Sequence, residues 1–157
     1  MNQSDLRRLL FETLTSIGLW SANAEELLVA IAAHESAACK YIYQMNDGPA
    51  RGIFQQEKLS HDEIFTILFP TRQALRYKVM DACNFLANPS YESLASNTGW
   101  AIIACRLHFL RFKDPIPDAS DIESIANYWK KYWNTSAGKG TIEEFINDYN
   151  LLISGNR

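Results

Sequence analysis

The chain has 157 residues, enough to bury a real core as one domain spanning residues 1–157. Its 47% hydrophobic and 12% aromatic content is that of an ordinary globular protein, and no run of about eighteen uncharged apolar residues is present to span a bilayer. Fifteen Lys and Arg against eighteen Asp and Glu leave a formal charge of −3, which gives no electrostatic reason to expect nucleic acid as a partner.

In chain order the pattern is helical. Leu6, Leu9, Leu10, Leu14 and Ile17 recur at helical spacing after Ser4, and Gly18 marks the end of that first helix. Asn23, three residues before Glu26, reads as the N-terminal cap of a second helix, whose run from Leu27 through Leu28, Val29, Ala30, Ile31, Ala32, Ala33 and His34 ends at Glu35. No period continues from Ala37 to Gln56, where Gly48, Pro49 and Gly52 punctuate a long irregular loop. Loops of that length in a compact domain are usually functional. This one offers Tyr41 and Tyr43 as rings to stack on, and Gln44, Asn46, Asp47, Arg51, Gln55 and Gln56 as hydrogen-bonding edges.

Ser60-His61-Asp62-Glu63 has the form of a capping box and opens a short helix that Pro70 is expected to stop. The next helix, Arg72 to Ala87, carries the stripe Leu75, Val79, Cys83 and Leu86 before Asn88-Pro89 breaks it. Gly99 to Phe112 is apolar almost all round, as suits a segment through the middle of the domain, and Pro115 and Pro117 end it. Ser120-Asp121-Ile122-Glu123 and Thr141-Ile142-Glu143-Glu144 are two further capping boxes, separated by Gly138-Lys139-Gly140. The expectation is an all-α domain of about seven helices with one long active-site loop.

Cys39, Cys83 and Cys105 are an odd, widely spaced set, which reads as free thiols rather than a disulfide framework. His34, His61 and His108 form no pair spaced like metal ligands, so neither a metal nor another cofactor is expected. Met1-Asn2-Gln3-Ser4-Asp5 lacks the features of a secretory signal, and synthesis in a reducing cytoplasm is expected. Glu35 stands out chemically. A carboxyl group anchored to an apolar helix end is disfavoured in its charged form, and so can keep its proton near neutral pH and deliver it to a leaving oxygen.

The order of these pieces resembles the lysozyme-like domains of lytic transglycosylases and goose-type lysozymes. His34-Glu35-Ser36 resembles the family's Glu-Ser at the end of an apolar helix, and Gly48-Pro49-Ala50-Arg51-Gly52-Ile53-Phe54-Gln55 resembles its Gly-Leu-Phe-Gln element. Ile125-Ala126-Asn127-Tyr128-Trp129 resembles its Leu-Ala-Ala-Tyr-Asn. The phage and prophage versions are closest in pattern. Gln55-Gln56-Glu57, Ser60-His61-Asp62-Glu63-Ile64-Phe65, Tyr128-Trp129-Lys130, Trp133-Asn134-Thr135 and Gly138-Lys139-Gly140-Thr141 look like their ordered set.

The resemblance implies cleavage of the β-1,4 bond between N-acetylmuramic acid and N-acetylglucosamine in peptidoglycan, with Glu35 as acid and then base. Closure of the muramoyl 6-hydroxyl on C1 gives the lytic transglycosylase outcome, a 1,6-anhydro product, and is the reading favoured. Attack by water gives an inverting muramidase and needs a second carboxylate. Asp47 is the candidate for it, against the plainer reading that Asp47-Gly48 is turn chemistry. Ser36, Phe54, Gln55 and Tyr128 are the implied substrate-binding residues. The implied partners are peptidoglycan glycan strands and other virion or tail proteins, with no nucleic acid and no membrane. The implied setting is a phage particle, made in the host cytoplasm without a signal peptide and acting on the periplasmic wall. A catalytically inactive wall-binding or virion structural module is the alternative from another class.

Overall fold

The structure is a computed structural model that describes residues 1–155. It is mostly helical. The elements are α1 (Gln3–Ser16), α2 (Ala22–Glu35), α3 (Lys58–Glu63), α4 (Phe69–Thr71), α5 (Gln73–Ala82), α6 (Ser93–Ser96), α7 (Thr98–Phe109), α8 (Ile122–Trp129) and α9 (Ile142–Ile153). Wide π turns at Ile64–Leu68 and Lys130–Asn134 extend α3 and α8, and a 3-10 turn forms at Met45–Asp47. Among the described residues there is no strand. Two isolated antiparallel bridges, Tyr43 to Arg51 and Arg51 to Gln56, are the extent of extended pairing.

The core forms around α2 and α7. From Leu27 to Ala33 every residue of α2 is fully buried, and α7 is buried from Trp100 to Cys105. Neither helix has a polar stripe to present to water, so each must be covered on all sides. For α2 the cover comes from α1, α7, α8 and α9. Leu6, Leu10 and Leu14 of α1, Ile125 and Trp129 of α8, and Phe145 and Leu152 of α9 supply the facing side chains.

Several helix starts differ from the sequence expectation. Asn2, not Ser4, caps α1 by accepting from the Asp5 amide, and Ser21, not Asn23, caps α2 by accepting from the Ala24 amide. Asn23 instead uses its side-chain oxygen to hold the Ala119 amide at 3.0 Å. Ser60 lies inside α3, which begins after Glu57, and Asp121 caps α8 rather than Ser120. In each case a neighbouring polar residue reaches the free amides, and spacing alone does not rank two adequate caps. The Thr141 and Glu144 box forms in full.

Pro70 does not stop the α3 helix cleanly. The backbone widens into a π turn ahead of it, and Pro70 is taken into the first turn of α4, where a missing N–H costs little. Helix α5 ends at Ala82, five residues before the expected Ala87, because Asn84 turns left-handed at φ 54° and Leu86 then projects fully into solvent.

The loop after α2 is tightly built. Ala37, Ala38 and Cys39 are consecutive left-handed residues at φ 48°, 59° and 66°, and they reverse the chain within three positions. Arg51 braces the far side, donating to Gly48 O at 2.9 Å and Ala50 O at 3.0 Å, pairing with Glu92 at 3.1 Å and packing over Tyr43. Gly52 is required where the loop meets α6: its φ is 77°, and a Cβ there would stand 2.6 Å from the Leu94 carbonyl oxygen. Gly18 has a similar φ of 74° but open surroundings. Gly18→Ala should therefore cost about 1 kcal/mol, the strain of a left-handed alanine. Gly52→Ala should cost about 2–4 kcal/mol because the clash is with backbone that cannot step aside. Urea unfolding of the two variants measures the difference, and equal losses would show that the loop relaxes.

Candidate functional site

A cleft of about 850 Å³ opens along one side of the molecule. One wall comes from the loop and α3, through Gln44, Ala50, Gln55, Glu57, Leu59, Ser60 and Glu63. The other comes from the end of α7 and the chain after α8, through His108, Arg111, Phe112 and the segment from Tyr132 to Lys139. Glu35 lies in it. A smaller hollow of about 400 Å³ between α8 and α9 contains neither Glu35 nor any aromatic or basic side chain.

Glu35 is the last residue of α2, so its place follows from the burial of that helix. Burial pushes its carboxyl pKa up, and the nearby Glu57 adds to the rise. The carbonyl end of the helix dipole acts in the same direction. Opposing this, His34 and the indole of Trp129, which donates from Nε1 to Glu35 Oε1 at 3.2 Å, favour the charged form, with Trp133 acting the same way more weakly. Desolvation is the largest of these influences and the protonated form gains.

His34 points away from the cleft. Its Nδ1 meets Asp148 of α9 at 2.7 Å, and its ring packs edge-on against Trp129 at 4.8 Å. This fixes the indole that touches Glu35.

The other residues expected at the site are dispersed. Gln55 lines the cleft beside Glu35, in a left-handed conformation at φ 48°, and its Nε2 donates to Gly52 O at 2.8 Å. Ser36 is fully buried. Its hydroxyl donates to Ile53 O at 2.6 Å and accepts from the Cys39 amide at 2.9 Å, so it ties the end of α2 to the loop. Phe54 is 1% exposed and belongs to the core beneath the loop. Asp47 is exposed on the 3-10 turn and does not line the cleft. Tyr128 is buried between Phe109 and Tyr132, donates to Asp114 O at 3.2 Å, and is likewise outside the cleft wall.

Residues not named as site residues from the sequence complete the walls. Tyr132 and Trp133 reach the cleft instead of Tyr128, because the π turn inserts an extra residue and rotates the positions after it by about 100°. His108 is held neutral: burial and Arg111 push its pKa down to about 4. As neutral imidazole it donates from Nε2 to Tyr132 O at 2.7 Å and accepts from Arg111 Nη2 at 2.7 Å. Arg111 also pairs with Glu63, and Lys130 donates to Gly138 O at 3.0 Å and Gly140 O at 2.7 Å, shaping the 134–140 rim. That rim includes Thr135 at φ 60°, ψ 177°, a region rarely occupied by a residue with a Cβ. Glu57, part of the Gln55-Gln56-Glu57 match but not named as a site residue, also lines the cleft. It comes directly after Gln55 and Gln56, and its nearness to Glu35 arises only from the fold.

Among the described residues no group of acidic, histidine or cysteine side chains is arranged to hold a metal ion, and no helix is long and apolar enough to cross a membrane. No family model, curated protein or solved structure matches the chain.

The raised Glu35 pKa has a consequence for stability. The folded state binds the proton more tightly than the unfolded chain, where a glutamate titrates near 4.3. Stability is therefore fully present below that unfolded value and is lost as pH rises through the higher folded one. Glu35→Gln removes the penalty. Its Tm should equal that of the wild type near pH 4 and exceed it at neutral pH and above. A thermal melt series that shows no pH-dependent gap would mean the carboxyl is solvated.

Proposed function

We propose that this protein cleaves the β-1,4 bond between N-acetylmuramic acid and N-acetylglucosamine in peptidoglycan, with Glu35 as the general acid. The observation that supports this best is the carboxyl itself: a glutamate with its pKa raised by burial, in a cleft of about 850 Å³ lined by rings and amides. Glycosidic cleavage needs such a proton donor, because the leaving sugar oxygen departs poorly as an alkoxide. The cleft also suits a sugar polymer, which presents hydroxyls and apolar ring faces together. Gln44, Gln55 and Asn134 offer amides, and Phe112, Tyr132 and Trp133 offer rings.

The ordered sequence resemblance to lytic transglycosylases and goose-type lysozymes points the same way and supplies the substrate class. It also supplies the setting we propose, a phage particle whose cargo opens the periplasmic wall. Asp47 loses ground as the base of a hydrolytic reaction, since it stands on an exposed turn outside the cleft. Ser36, Phe54 and Tyr128 are assigned to holding the site together rather than to contact with sugar.

The decisive variant is Glu35→Gln, which keeps shape and removes the proton. It should fold as the wild type does and lose about two or more orders of magnitude of activity, the usual weight of a positioned general acid. Turbidity loss of a peptidoglycan suspension reads this directly. Identical curves for the two folded proteins would sink the enzymatic reading and favour a module that grips wall or virion protein without cutting.

A further inference from the structure

The loop after α2 carries an apolar run that neither the core nor the cleft uses. Tyr41, Ile42, Tyr43 and Met45 are all exposed, although they fall close together in the chain. Single exposed apolar side chains are ordinary, whereas a group of them on one segment marks a contact surface. The segment is not loose. Gly52 N donates to Ile42 O at 2.8 Å, Gln44 N donates to Ala50 O at 3.3 Å, and Ala50 N donates to the Gln44 side chain at 3.0 Å.

Tyr43 is the best built of the group. Arg51 lies across an antiparallel bridge from it, with Cζ 5.4 Å from the Tyr43 ring centroid and 6.0 Å from that of Tyr91. The guanidinium is itself fixed, by Glu92 at 3.1 Å and by the carbonyls of Gly48 and Ala50 at 2.9 and 3.0 Å. Tyr91 is anchored in turn, its hydroxyl donating to Gln56 O at 2.9 Å. One side of the Tyr43 ring thus rests on a fixed cation, and with 56% of the residue exposed the other side meets solvent.

That construction selects its guest. A ring already held in place loses little freedom when another group stacks on it. The guanidinium draws on the ring's negative face, so a second cation is a poor guest, while an uncharged apolar face is accepted. Pyranose rings offer such faces. Position points the same way: Gln44, the next residue, lines the cleft, so Tyr43 stands one residue outside its wall.

We propose that Tyr43, backed by Arg51, is a stacking platform for sugar units of the glycan strand that extend beyond the cleft. The proposal rests on the reading of the cleft as a saccharide site. It gives that site a preference for long strands over short ones.

The test reads binding, so it does not depend on cleavage. Peptide-free glycan strands of peptidoglycan, fractionated by length, are titrated by calorimetry into the intact Glu35→Gln chain with and without a change at Tyr43. Tyr43→Ala should weaken binding of long strands about tenfold, the weight of one stacked ring, and leave the shortest fraction that binds unchanged. Tyr43→Phe and Tyr43→Trp, which keep a ring, should retain the affinity, and NMR signals of the Tyr43 ring should shift with long strands alone. Equal losses at every length would make Tyr43 a structural part of the cleft and overturn the proposal, as would unchanged long-strand affinity in Tyr43→Ala. Self-association or binding to anionic lipid vesicles that Tyr43→Ala abolishes, with strand binding intact, would assign the surface to a second copy or a membrane and overturn it too. No binding of any fraction by the wild type removes the saccharide reading together with the platform. Normal binding and cleavage with an indifferent Tyr43 removes the platform alone.

Discussion

The burial of α2 on every side is the constraint on which the rest of the site depends. A helix with no polar face cannot lie at a surface, so its end must emerge inside the packed domain. Glu35 occupies that end. Its carboxyl meets the carbonyl end of the helix and a low-dielectric surrounding together, and both oppose ionisation. The chain must also turn sharply to leave. Ala37, Ala38 and Cys39 do so in left-handed conformations that cost energy without glycine, and the Ser36 hydroxyl offsets that cost by gripping Ile53 O. Glu35 and the loop carrying Gln55 are thus fixed to each other through one buried serine.

The opposite wall is held by a different device. After Trp129 the helix widens, and the carbonyl of Tyr132 turns to the His108 ring. Lys130 gathers the carbonyls of Gly138 and Gly140, and Gly140 in turn runs so close to Trp129 that a Cβ would stand 2.9 Å from the indole. Asp148 of α9 holds His34 against the same indole. The single hydrogen bond from Trp129 to Glu35 is the visible end of a network that reaches α9 and the 134–140 rim. Moving any of these parts changes how much the charged form of Glu35 is favoured.

Much of this is legible in the sequence, and the exceptions have a common cause. The all-helical class, the course of α2 up to Glu35, the irregular stretch after it and the Thr141 box rest on periodicity and capping chemistry, which are local. Gln55 lies in the cleft wall. The illegible parts depend on choices between equivalent local options or on distant geometry. Ser21 against Asn23 as a cap is such a choice, and the π turns that carry the chain past Pro70 and rotate Tyr132 and Trp133 into the cleft are invisible to a 3.6-residue pattern. Asp47 draws attention because it shares a loop with Gln55, yet membership of a loop does not set direction. Glu57 is legible only as part of the Gln55-Gln56-Glu57 match, because its nearness in charge to Glu35 exists only in the fold.

Glu35 and Glu57, which both line the cleft, differ in solvation rather than in identity. Their surroundings separate them: Glu35 is half-buried against an indole at the end of a buried helix, and Glu57 is exposed just ahead of α3. A carboxyl group that loses hydration holds its proton and is suited to give it away. A charge on Glu57 makes a second charge at Glu35 harder to form. The Arg111 pair matters here as well. By pairing with Glu63 it balances that carboxylate's charge within the cleft wall. His108, kept neutral by burial, supports Arg111 without adding a positive charge that would favour ionised Glu35.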